Sequence, residues 1–168
     1  MPDAVQDRYA PDNACFGCGP SNPAGLRIKS RRPTDADLAR HEDDGLPTAG
    51  LLVADWQPAA MHEAFPGMLS GGIAGTLLDC HLNWTAAIHL MDLRGLDHPP
   101  CTVTARYSVA LRRPTPTSGP LSIRGWVTAV DGDKVNVEGE LSADGVVCAT
   151  CRGLFVSVQE GHPAFHRW

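Results

Sequence analysis

Apolar residues recur at helical spacing in one stretch of the chain: Ile73, Leu77, Cys80, Trp84, Ala87/Ile88 and Met91. That stripe predicts one helix over 71–93, apolar on several faces and therefore deeply buried. Downstream the period changes to two. Val103, Ala105, Tyr107, Val109 and Leu111 alternate with polar neighbours, as a half-buried strand does. Runs at 121–130, 134–141 and 145–158 predict three more strands. The breaks between them are Arg113-Pro114-Thr115-Pro116, Asp131-Gly132-Asp133 and Asp144-Gly145. The last two are short enough for hairpins, which makes the strands they join antiparallel neighbours. Upstream of the helix, residues 26–32 alternate apolar and basic, and 50–56 reads as a second strand. Residues 33–48 are rich in Asp, Pro and Gly and read as a mobile loop. A further loop, 57–67, contains Pro58 and Pro66. Residues 1–24 form an irregular arm broken by Pro11, Pro20 and Pro23. The remainder, 25–168, makes one domain. The order is strand, strand, one long buried helix, then four strands in a meander. This is an α+β pattern, which other helix-on-sheet folds share.

The 168 residues, 43% of them apolar, suffice for a core without staples. A net charge of −5 argues against a nucleic-acid binder. Residues 1–12 are polar and carry both charge signs, unlike a signal peptide. No apolar run approaches the ~20 residues of a membrane helix. The expected location is cytoplasmic. Six cysteines there imply reduced thiols. Cys15/Cys18 and Cys148/Cys151 both have CxxC spacing. The second pair lies in a strand, where residues three apart face opposite sides. The first lies in a Gly/Pro-rich loop. A structural zinc site takes about four ligands, and no second usable pair is present, so no metal is expected.

Asp79 lies in an otherwise apolar helix, and a buried carboxylate is costly unless paired or functional. Gly72, Gly75/Thr76 and Asn83 share its face. They fit either a reactive acid or a structural one bonded to Asn83 or Thr76. Gly71 and Gly72 open the helix, where backbone N–H groups are free and the dipole is positive. They suit an oxyanion site or simply a tight helix entry. Gly72 and Asp79 are seven residues apart, roughly 10 Å along the axis. One carbonyl cannot sit ~3 Å from both. If both act on one carbonyl, they come from different subunits. His81 lies about 160° around the helix from Asp79. Cys80 falls on the apolar stripe and reads as core.

The segments Cys15-Phe16-Gly17-Cys18-Gly19-Pro20, Asn22-Pro23-Ala24-Gly25-Leu26, Gly67-Met68-Leu69-Ser70-Gly71-Gly72-Ile73, Leu77-Leu78-Asp79, Thr104-Ala105-Arg106-Tyr107 and Arg112-Arg113-Pro114 occur in order. With the Asp144-Gly145 hairpin, they give the chain a resemblance to the hotdog-fold acyl-CoA thioesterase superfamily, in its PaaI-like branch. The resemblance spans about 15–158. It implies a curved antiparallel sheet wrapped around one long helix, and a homodimer or dimer of dimers. It also implies hydrolysis of an acyl-CoA, with no cofactor beyond the coenzyme A of the substrate. Asp79 would be general base or nucleophile, and the Gly72 N–H of the other subunit the oxyanion donor. Thr104 would assist the acid, although its face also holds Thr102, Arg106 and Ser108. Only a bulge or a dimer-edge position could bring it to Asp79. Ser70, Gly71, Asn83 and His62 would contact substrate, with Glu63 beside His62. Arg112 and Arg113 would hold coenzyme A phosphates, or else guard a solvated strand edge. The family usually carries histidine where this chain has Ser70. That departure keeps open a non-catalytic protein binding an acyl or CoA ligand. A hotdog hydratase would need an Asp/His pair in a short motif, and none aligns. Trp56, Phe65, Met68, Leu69, Trp84 and Met91 suit an acyl pocket or a core equally.

Overall fold

The computed structural model describes residues 3–165. Its dominant element is the helix α3, Gly71–Arg94. Leu77, Leu78, Leu82, Trp84, Ala86, Ala87 and Leu90 on it are all essentially buried, as an all-round apolar helix should be. Ser70 caps it in extended backbone without a side-chain bond. Gly95 stops it at φ 63°, and Leu96 N–H returns to Met91 O. That left-handed stop is one glycine adopts without strain.

Five strands form the sheet: β1 (Leu52–Trp56), β4 (Thr102–Leu111), β5 (Leu121–Asp131), β6 (Lys134–Ala143) and β7 (Val146–Ser157). Their order is β1-β5-β6-β7-β4, antiparallel throughout. The two expected hairpins join β5 to β6 and β6 to β7. Asp144 and Gly145, at φ 48° and 77°, form the second turn. The expected four-strand meander is corrected at β4, which pairs with β7 rather than β5. The connection after β4 holds Pro114, Pro116 and Pro120, too stiff and long for a tight hairpin. The sheet packs its inner face on α3, with Ile123, Val135, Val137, Leu141 and Phe155 closing the core. One long helix across a curved antiparallel sheet is the hotdog fold.

The chain upstream of α3 departs further from expectation. The arm contains a short helix, α1 (Val5–Tyr9), and buries Val5, Ala10 and Cys18 in the core. Residues 26–32 alternate in burial but form no strand. Arg27 sits at φ 55°, and the N–H groups of Leu26 and Ile28 go to Phe16 O and Gly17 O. Residues 33–48, expected to be mobile, contain the helix α2 (Asp35–Asp43). Thr34 and Asp37 form its capping box, worth ~1 kcal/mol. The helix covers the outer sheet face, where the His41 and Trp126 rings pack edge to face with centroids 5.1 Å apart. The loop before α3 holds a 3-10 turn, Ala60–His62, and a small hairpin of β2 (Glu63–Phe65) and β3 (Met68–Leu69). No helix among the described residues is long and apolar enough to cross a membrane.

A buried relay ties arm, helix and sheet together. Gln6 Nε2 donates to Ser30 Oγ at 3.0 Å, and Ser30 Oγ meets His81 Nδ1 at 2.8 Å. His81 Nε2 meets Leu52 O at 3.1 Å. A carbonyl can only accept, so Nε2 carries the proton and Nδ1 accepts from serine. Burial holds the imidazole neutral and lowers its pKa to about 4. The unfolded chain binds a proton on this group near pH ~6.5. Stability is therefore complete above that pH and is lost as pH falls toward about 4. The expected slope approaches ~1.4 kcal/mol per pH unit within that window. Urea unfolding of the wild type and His81→Gln checks this. Equal acid sensitivity of the two proteins would refute it.

Candidate active site

Asp79 stands two turns into α3, half-buried, on the face turned to β4. Thr104 comes from β4 and donates its hydroxyl to Asp79 Oδ1 at 2.7 Å. A register shift makes that contact possible. Thr104 pairs with Phe155 and Arg106 with Leu154, so Ala105 is an extra residue on its strand. The bulge turns Thr104 inward, while Arg106, Tyr107 and Ser108 after it are exposed. Asn83, one turn after Asp79, donates from Nδ2 to Thr102 O at 3.3 Å. Asn83 Oδ1 and Thr102 Oγ1 are both buried without a hydrogen-bond partner. Unpaired buried acceptors and hydroxyls are uncommon in folded proteins.

These groups line a cavity of about 490 Å³, together with Cys15, Cys18, Cys80 and Trp84. Burial pushes the Asp79 carboxyl above the usual carboxylate range. The Thr104 hydroxyl offsets part of that shift, and negative charge on Cys15 adds to it. A carboxylate made more basic in a ligand-sized cavity is equipped to take a proton from water or to attack a carbonyl.

The other predicted residues gather at the start of α3. Ser70 N–H donates to His62 O at 2.9 Å, and Ala74 N–H to Ser70 O at 3.1 Å. Ala74 is thus the first helix residue bonded back, leaving the N–H groups of Gly71, Gly72 and Ile73 outside the helical ladder. A Cβ on Gly71 would meet Leu111 Cδ1 at 2.8 Å, whereas one on Gly72 would make only an ordinary contact with Ser70 Oγ at 3.8 Å. His62 Nδ1 accepts from Ala59 N–H at 2.9 Å, and its ring lies 4.9 Å from that of Trp56. Arg112 and Arg113 follow Leu111, and their N–H groups both donate to Cys148 O. Arg112 Nε also donates to Thr150 Oγ1 at 3.2 Å, in a cleft with Trp126 and Glu138 rather than Asp79. One chain thus brings Asp79, Thr104 and Asn83 together. It places Ser70, Gly71, Gly72 and His62 in a second group, about 10 Å further along the helix.

The cysteines give the largest surprise. Cys80 is in the core as expected, but its sulfur also meets the arm. Cys15 Sγ lies 3.8 Å from Cys80 Sγ. With Cys18, all three sulfurs fall within 4.8 Å of one another. Trp84 Nε1 donates to Cys18 Sγ at 3.4 Å. Hydrogen bonds from the Cys18 and Cys80 thiols push the Cys15 thiol down, helped by the backbone N–H groups of Cys18 and Gly17. The same contacts and burial push Cys80 up. The CxxC loop was the available signal. What it lacked was the third sulfur, which only the packing of the arm on α3 supplies.

No family profile matches the sequence, and no curated protein does either. Solved structures do. A thioesterase superfamily protein is 26% identical at a TM-score of 0.65, over 86% of this chain and 61% of its own. This chain therefore spans less than two thirds of that protein. A thioesterase superfamily protein from Shewanella loihica PV-4 is 29% identical at 0.57, over 67% and 88%. A phenylacetic acid degradation-related protein from Ralstonia eutropha JMP134 is 23% identical at 0.58, over 78% and 85%. The chain is a hotdog-fold protein whose structure resembles those of thioesterase superfamily proteins.

Proposed function

We propose that this protein hydrolyses an acyl-CoA thioester to the free acid and coenzyme A. The observation that carries the reading is the Asp79–Thr104 pair, with its raised carboxyl, at the wall of a ligand-sized cavity. Asp79 serves as general base or nucleophile. Thr104 holds one carboxylate oxygen and so orients the other toward the cavity. The oxyanion forms against the Gly72 N–H of a second subunit, because the Gly72 of the same chain is too distant. Arg112 and Arg113 follow Leu111, which abuts Gly71, and contribute positive charge for the coenzyme A phosphates at that end.

A second reading rests on Ser70, which stands where relatives carry histidine and makes no side-chain cap bond. It makes the protein a non-catalytic binder of an acyl or CoA ligand. A hydrolysis screen over short, long and aromatic acyl-CoAs, read as free thiol, separates the two. The proposal expects saturable release with at least one class. Coenzyme A binding without thiol release from any of them would establish the second reading instead.

A further inference from the structure

We propose that Cys15, Cys18 and Cys80 bind one zinc ion through three thiolates, with the fourth position turned into the cavity that holds Asp79. This goes beyond the thioester reading and does not depend on it. Three sulfurs from two distant parts of the chain converge within 4.8 Å. Zinc–thiolate bonds of ~2.3 Å at a tetrahedral angle put two sulfurs ~3.8 Å apart. Cys15 and Cys80 already stand at 3.8 Å. A disulfide needs ~2.05 Å, and all three cysteines are free thiols here.

The surroundings fit a preformed thiolate site. Cys15 and Cys18 lie on a tight turn closed by Gly19 N–H to Cys15 O at 2.8 Å. A Cβ on Gly17 would lie 2.3 Å from Cys80 Sγ, so the loop backbone is pressed against that sulfur and only glycine fits. A Cβ on Gly19 would lie 2.4 Å from Cys15 N, which makes the turn itself dependent on glycine. The Trp84 indole N–H, aimed at Cys18 Sγ, is the kind of outer donor that fixes a thiolate ligand. Cys15 is exposed, which gives an ion a way in.

A trio of thiols packed only as core would need neither a donor to sulfur nor an exposed member. Three protein ligands with one open position is the pattern of zinc sites that also hold water or a substrate atom. The cavity that the three cysteines line is also lined by Asp79, Asn83 and Thr102. The ion would also clamp the N-terminal arm to the middle of α3.

The test uses the full chain purified without chelator. Elemental analysis should find about one zinc per chain. Cobalt exchanged into the site should give the sulfur-to-metal charge-transfer band and the intense visible bands of a tetrahedral thiolate centre. Cys15→Ser, in an exposed loop, and Cys80→Ala should both lose the ion and the bands. Cys101→Ser, outside the trio, should keep them. Alkylation of Cys15 should be slowed at least ~10-fold by the ion and restored by a chelator. A native chain that neither carries zinc nor develops the cobalt bands would overturn the proposal. So would a disulfide between any two of the three in the native protein, or retention of the ion by both Cys15→Ser and Cys80→Ala.

Discussion

Asp79→Asn is expected to lower kcat/KM for the best acyl-CoA by ~10²–10⁴-fold, the range a positioned general base contributes. The substitution preserves the shape of the side chain. Thr104 Oγ1–H can still donate to the amide oxygen as it does to Asp79 Oδ1. What disappears is the basic oxygen. The folded chain holds this carboxyl at the cost of desolvating it, as its raised pKa records. A neutral amide removes that cost, so the variant should unfold at an equal or higher urea concentration than wild type. Groups retained at a stability cost are found where chemistry requires them. Activity and stability are therefore predicted to move in opposite directions. A variant that keeps wild-type turnover would remove Asp79 from the mechanism. One that loses both turnover and folding would show instead that the acid is a structural anchor.

The parts of the fold that local pattern encodes were readable in the sequence, and the parts that depend on long-range packing were not. The helix expected over 71–93 is Gly71–Arg94, because its apolar stripe and its closing Gly95 are both local signals. The last three strands match within about two residues because turn glycines and alternation bound them. Helix α2 carries little sequence signal because its Thr34–Asp37 capping box lies in a stretch that otherwise reads as loop. The pairing of β4 with β7 is a choice among edges that no single strand specifies. At the site, Asp79 was legible as a carboxylate in an apolar helix. The sequence shows that Thr104 needs a bulge or an edge position to reach it, but not which one. The bulge at Ala105 carries no residue signature of its own, since alanine fits a bulge or a regular strand alike. Cys80 was legible as core but not as the third member of a sulfur cluster. Its partners lie 62 and 65 residues away in an arm whose docking no periodicity records.

Mixing two inactive chains should restore activity, and this follows from the length of α3. Gly72→Pro deletes the proposed oxyanion donor while leaving the second position of the helix otherwise intact. Proline in the first turn displaces no helical bond, because that N–H has no partner in the ladder. Loss of one such donor costs ~10²–10³ in kcat. Asp79→Asn deletes the acid. In the proposed dimer, each pairing of like chains then carries two broken sites. If Gly72 of one subunit faces Asp79 of the other, a heterodimer carries one site with both defects and one with neither. Random association makes half the dimers mixed, so the mixture should show about a quarter of wild-type activity. That is far above either variant alone. Co-expression from two tagged genes supplies the mixed species, and purification through both tags should raise the value to about one half. If donor and acid instead served the same site within one chain, every dimer would remain broken and the mixture would stay at the level of its parents. A separation of roughly 10 Å along one rigid helix excludes that arrangement for any single carbonyl, so recovery is the expected result.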